Sequence, residues 1–162
     1  MRASRQPSAR VVFGHPVHLL AFGFGAGLAP VAPGTAGTVV AIPLFVAMSY
    51  LPLAAYLALT VLAMVAGFWI CGRSSELLGV HDHGGIVWDE IVGYLITMIG
   101  APLAWPWVLL GFVLFRVLDV FKPWPASWAD RRLRGGVGIM MDDVFAGIYA
   151  LIIMQVVMHA LT

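Results

Sequence analysis

Three groups of acidic residues stand at the edges of apolar stretches in this chain: Asp89-Glu90, Asp119 and Asp142-Asp143. Clustered carboxylates repel one another, and an apolar setting raises the cost of ionising them. A bound hard cation removes that conflict, and oxygen-only ligands suit magnesium or manganese rather than zinc. Asp89, Glu90, Asp119, Asp142 and Asp143 are therefore expected to hold one or two Mg²⁺ ions. Helix capping explains part of the pattern, because an acid at a helix N-terminus accepts from free N–H groups and complements the macrodipole. It does not explain Asp119, which the pattern places near a helix C-terminus, where a negative charge is unfavourable.

Basic residues accompany these acids. Arg116, Asp119 and Lys122 recur at i, i+3 and i+6, and share a face if the helix runs to Lys122. Asp130-Arg131-Arg132 and Arg134 follow, then the run Gly135-Gly136-Val137-Gly138. Arg forks match phosphate oxygens, and Gly backbones let N–H groups approach an anion. Arg116 and Lys122 are expected on a transferring phosphoryl group, with Arg131 and Arg134 on a second phosphate. The plainer use of Arg131, Arg132 and Arg134 is to anchor acidic lipid headgroups. Pro33-Gly34-Thr35-Ala36-Gly37-Thr38 reads as a helix start whose N–H groups and Thr35 and Thr38 hydroxyls offer donors to an anion. A Thr cap is the simpler reading there, and the run is not a Walker loop. In the loop GVHDHGGIVW, Asp82 and His81 are candidates for general base or acid, beside Asp89 and Asp142 as catalytic carboxylates. His81 and His83 have no third partner for zinc. Cys71, the single cysteine, makes no internal disulfide.

The elements that must position these groups follow from composition. Of 162 residues only 17 are charged, nine Lys/Arg and eight Asp/Glu, while 61 % are hydrophobic. Mean hydropathy is +0.94. This excludes a disordered tail, a nucleic-acid binder and an ordinary water-soluble enzyme. Residues 11–72, 91–115 and 144–162 carry no Asp, Glu, Lys or Arg, and charge-free apolar runs longer than about 18 residues are candidates to span a bilayer. An all-α integral membrane protein is expected: a compact bundle of about five short transmembrane helices near 36–51, 53–71, 89–104, 106–121 and 143–161. Residues 17–29 are too short to span and read as an interfacial or re-entrant helix. The expected organisation is an N-terminal arm, 1–16, and one membrane-embedded domain, 17–162. The Arg-rich start resembles a leader, but Gly23, Gly25 and Gly27 interrupt its apolar stretch and Pro30 and Pro33 crowd a cleavage site, so it is expected to stay.

Alternating crossings place residues 72–88, 122–142 and the N-terminal arm on one side, and the positive-inside rule makes that side the cytoplasm. Tyr50, Tyr56, Trp105 and Trp107 are expected to form the aromatic belt of the far face, and Trp88, Trp124 and Trp128 that of the near face. Apart from His159 the far face has no ionisable side chain. A protein that conducts ions should place charge along a path through the bilayer, whereas here charge gathers at helix ends on one surface. That favours surface chemistry over the rival class, a small divalent-cation transporter or non-catalytic scaffold.

Three blocks, GFGAGLAPVAPGTAGT, GVHDHGGIVWDEIVG and FRVLDVFKPWPASWADRRLRGGVGIMMDDVFAG, together resemble the signature segments of bacterial phosphatidylglycerophosphatase A, in the family's order. The resemblance implies a magnesium-dependent enzyme of the bacterial inner membrane. Such an enzyme hydrolyses the terminal phosphomonoester of phosphatidylglycerophosphate, giving phosphatidylglycerol and phosphate. The expected mechanism is metal-assisted phosphoryl transfer to water, with a covalent aspartyl-phosphate as the open alternative.

Overall fold

The computed structural model describes residues 6–81 and 83–161, so the candidate Asp82 lies outside the described residues. The fold is all-α. Two short helices, α1 (Ala9–Gly14) and α2 (Pro16–Ala21), lead into 3₁₀ turns at Gly23–Leu28. Then come α3 (Pro33–Met48), α4 (Leu53–Leu78), α5 (Trp88–Thr97), α6 (Trp105–Phe121), α7 (Ala126–Arg132) and α8 (Gly135–Leu161). Prolines set several starts: Pro16, Pro33 and Pro106 each lie in the first turn of a helix, where no N–H partner is needed. Gly79, at φ 66°, closes α4 by donating to Glu76 while Val80 donates to Ser75.

Two helices are long and apolar enough to cross a membrane, α4 with 26 residues and α8 with 27. At 1.5 Å per residue they measure about 39 and 40 Å, against a hydrocarbon thickness of about 30 Å. The other segments expected to span are also helical but shorter, 16 residues for α3 and 17 for α6.

The largest departure is α5. Its apolar run was expected to cross over 89–104, yet the helix has ten residues and ends at Thr97, ahead of Gly100 at φ 72° and Pro102. That gives about 15 Å, half of what a crossing needs. The reason is position: α5 is the central helix, packed on α3, α4, α6 and α8, with residues 91–97 all buried. A run that is apolar on every side reads the same whether it faces lipid or protein. The crossing of α5 and α8 is close because both carry glycine there. A Cβ on Gly147 would meet the Gly93 carbonyl oxygen at 2.5 Å, and one on Gly93 would press into Phe115.

Two residues expected in the aromatic belts belong to the interior. Tyr56 is buried and its hydroxyl donates to the Leu95 carbonyl at 2.7 Å. Half-buried Trp88 donates its ring N–H to the Ala63 carbonyl at 3.0 Å. Residues 17–29 are not one helix, since Gly23, Phe24 and Gly25 take positive φ within the 3₁₀ turns that follow α2. The N-terminal arm is tied down from Ala9, because α1 packs on α2 and fully buries Val12.

Candidate active site

Three helices bring the acids together. Asp89 and Glu90 form the first turn of α5, and Asp143 projects from α8 close to the α5–α8 crossing. One oxygen from each of these three lies within 4.8 Å of the others, spacing that a single cation can bridge. Asp89 and Asp143 are buried, and Glu90 is nearly so. Asp119 arrives from α6 and adjoins the Asp143 carboxyl, while its Oδ2 meets Arg116 Nη1 at 2.5 Å. The same guanidinium stands 3.9 Å from Glu90 Oε1. Arg116 thus binds one edge of the cluster by two acids.

Asp142 is held differently. Its Oδ2 accepts from Lys122 Nζ at 2.6 Å, and that ammonium also donates to Asp130 Oδ1 at 2.6 Å. The spacing had put Lys122 on the helical face of Arg116 and Asp119. Instead α6 ends at Phe121, Lys122 turns into the left-handed region at φ 43°, and its side chain ties α7 to α8. Burial alone would lower the Lys122 pKa. The two carboxylates outweigh it and hold the value above the ordinary lysine range, so the group stays charged.

Charge and hydrogen bonding both leave the cluster incomplete. Six carboxylates, counting Asp130, face two cations. Among the described residues Asp89 Oδ1, Glu90 Oε2 and Asp142 Oδ1 are buried without a hydrogen-bond partner. Buried polar atoms left unmatched are rare and costly. Hard, anionic, unpartnered oxygens fit a divalent cation of the Mg²⁺ or Mn²⁺ type, and the donor set contains no thiolate or imidazole for a softer metal.

The Pro33–Thr38 run enters the site in a way its sequence did not announce. A Cβ on Gly34 would collide with Glu90 Oε1 and stand 3.2 Å from Arg116 Nη1. Glycine here is what lets the start of α3 close over Glu90. Thr38 is buried and donates to the Gly34 carbonyl at 3.0 Å, a bond inside the helix, and Thr35 lies in the first turn, half-buried.

The remaining candidates lie elsewhere. His81 is exposed and lines a separate cavity of about 450 Å³ with Arg73, Glu76, Gly135 and Gly136. Arg131 and Arg134 are exposed, and Arg131 Nε donates to the Ser127 carbonyl at 2.8 Å. Asp130, absent from the expected site, is brought in by Lys122. No local spacing signals it, since the α6–α7 turn that aligns it is a property of the folded chain.

Comparison with known proteins places the chain in a family. The family profile of phosphatidylglycerophosphatase A matches residues 19–158. The chain is 45 % identical over 152 residues to the phosphatidylglycerophosphatase A of Escherichia coli K12, covering 93 % of this chain and 88 % of that protein. It is 42 % identical over 158 residues to the Haemophilus influenzae Rd protein of the same name, covering 94 % and 95 %. No solved structure matches. With most of its length matched by the profile and by both relatives, and with the acids and glycines of the three sequence blocks meeting at one site, this chain belongs to the phosphatidylglycerophosphatase A family.

Proposed function

We propose that this chain hydrolyses the terminal phosphomonoester of phosphatidylglycerophosphate to phosphatidylglycerol and phosphate, using Mg²⁺ held by Asp89, Glu90 and Asp143. The observation that carries the metal site is the meeting of Asp89, Glu90 and Asp143 oxygens within 4.8 Å from two helices far apart in sequence, with Asp89 Oδ1 and Glu90 Oε2 buried and without partners. Membership of the family supplies the substrate.

The bound cation would supply Lewis-acid stabilisation of charge on the transferring phosphoryl group. Arg116, fixed between Asp119 and Glu90, adds positive charge at the same place and costs no reorganisation when substrate arrives. Asp119 orients Arg116 and neighbours the ligand Asp143, so it serves the site from its second layer. Asp142, with Oδ2 on Lys122 and Oδ1 unpartnered, takes the proton from the attacking water. Asp82, seven residues before Asp89 in the sequence, is the other candidate acceptor for that proton. Lys122 balances the charge left on Asp142.

The enzyme lies in the bacterial inner membrane, with its N-terminus and acidic site on the cytoplasmic face and α3, α4, α6 and α8 as its crossing helices, while the short α5 enters from the cytoplasmic side and is carried on by the non-helical residues 98–104. The support is the gathering of charge at one set of helix ends, together with the length and apolarity of α4 and α8. In that setting the acyl chains stay in lipid while the headgroup meets the carboxylates.

The test is phosphate release by purified protein from phosphatidylglycerophosphate and from phosphatidic acid, with and without Mg²⁺. Release from the first substrate, lost on chelation and restored by Mg²⁺, is the expected result. Equal turnover of both substrates, or turnover indifferent to chelation, contradicts the proposal.

A further inference from the structure

A second cavity, away from the acids, combines arginines with exposed aromatic rings. Trp124, Trp128, Arg131 and Arg132 line a surface cavity of about 360 Å³ beside α7. Its rings are open to the surface, with Trp124 75 % and Trp128 46 % exposed, and Val120 and Phe121 at the end of α6, just before Trp124 in sequence, are exposed as well. Large rings of this kind are costly in water and favoured where a bilayer meets it.

Charge on α7 is one-sided. Asp130 is taken by Lys122, whereas neither Arg131 nor Arg132 ion-pairs with a carboxylate among the described residues. Arg131 commits only its Nε, to the Ser127 carbonyl, which leaves its terminal amino groups unspent. The frame around the cavity is tied at both ends. Tyr149 on α8 donates to the Trp124 carbonyl at 2.8 Å, and Lys122 links Asp130 to Asp142.

We propose that this cavity binds the phosphodiester headgroup of an anionic bilayer phospholipid other than the substrate. Arg131 and Arg132 take the phosphate, and the Trp124 and Trp128 rings lie along the glycerol and the upper acyl chains. This gives Arg131 a ligand different from the substrate phosphate that its spacing suggested. A soluble phosphate would satisfy the guanidinium groups but has no use for the exposed rings, which is why the ligand is assigned to the bilayer. The site stands apart from the carboxylate cluster, so it does not depend on the hydrolytic reading.

The test is a binding titration of the full-length protein in neutral detergent micelles. Tryptophan quenching by bromine-labelled phosphatidylserine, which is not the reaction product, is compared with quenching by labelled phosphatidylcholine. The wild type should bind phosphatidylserine at least about tenfold more tightly, and the Arg131→Ala/Arg132→Ala variant should lose that preference. Arg132→Gln alone, at an exposed and unpaired position, should weaken phosphatidylserine about fivefold and serves if the double variant aggregates. An unchanged preference in both variants overturns the site. Displacement of phosphatidylserine by an equal concentration of glycerol phosphate overturns its assignment to lipid.

Discussion

The two ends of helix α5 obey opposite rules. Around its C-terminal half, polar side chains are matched by backbone: Tyr56 donates to the Leu95 carbonyl, Tyr94 to that of Val108, and Gln155 to that of Ile99. At its N-terminus, Asp89 and Glu90 meet Asp143 and keep buried oxygens without partners. Tyr56 and Tyr94 at one end and Asp89 and Asp143 at the other are all buried, so a desolvation cost applies at both. One end has removed that cost by internal hydrogen bonds. The other has kept it, and a fold tolerates such an expense where a ligand completes the bonding. The contrast separates the part of the molecule that holds the bundle together from the part proposed to react.

Substitutions at the acidic end should therefore change activity far more than folding. Asp143→Asn and Asp89→Asn each remove a proposed charged ligand while keeping the shape. Phosphate release should fall by about 10³-fold, with helical content by circular dichroism unchanged. Asp119→Asn loosens Arg116 and should cost on the order of 10²-fold in turnover, the usual range for a group that supports ligands. Lys122→Ala, which unties Asp142 and Asp130 but leaves the three closest carboxylates in place, should cost about tenfold. If Lys122→Ala proves more damaging than Asp119→Asn, the two roles have been exchanged.

Gly34→Ala sharpens the comparison from a neutral residue. In a helix interior the change would ordinarily stabilise by about 1 kcal/mol. Here the added methyl strikes Glu90 Oε1, so activity should drop at least about tenfold while thermal stability does not rise. The smallest effect belongs to the other end. Tyr56→Phe deletes one buried hydrogen bond and should cost about 1 kcal/mol of stability, read as a lower midpoint in thermal unfolding, with phosphate release intact.

The acids were legible in the sequence because charge is so scarce in this chain that each remaining carboxylate needs a reason. Their grouping on three helices followed from where the apolar runs start and stop. The length of α5 was not legible: residues 89–104 are apolar enough for either environment, and only the packing of four helices around α5 settles which one it occupies. Gly34 stood out only as part of a Gly/Thr-rich helix start, and its contact with Glu90 was not legible because it depends on how α3 meets α5. His81 was a candidate from its place in the sequence before Asp89, yet it lines the cavity by Arg73 and Gly136, because proximity along the chain does not fix direction. Lys122 was misplaced by one residue of helix. A chain break in helical geometry at φ 43° turned a same-face spacing into a bridge between α7 and α8.

Direct titration of the purified protein with Mn²⁺, followed by the loss of free-ion paramagnetic resonance signal and by competition with Mg²⁺, addresses the site most directly. The wild type should show a saturable site displaced by Mg²⁺, and the Asp89→Asn/Asp143→Asn variant, folded to the same helical content, should show none. Equal binding by both proteins would mean that these carboxylates hold no cation.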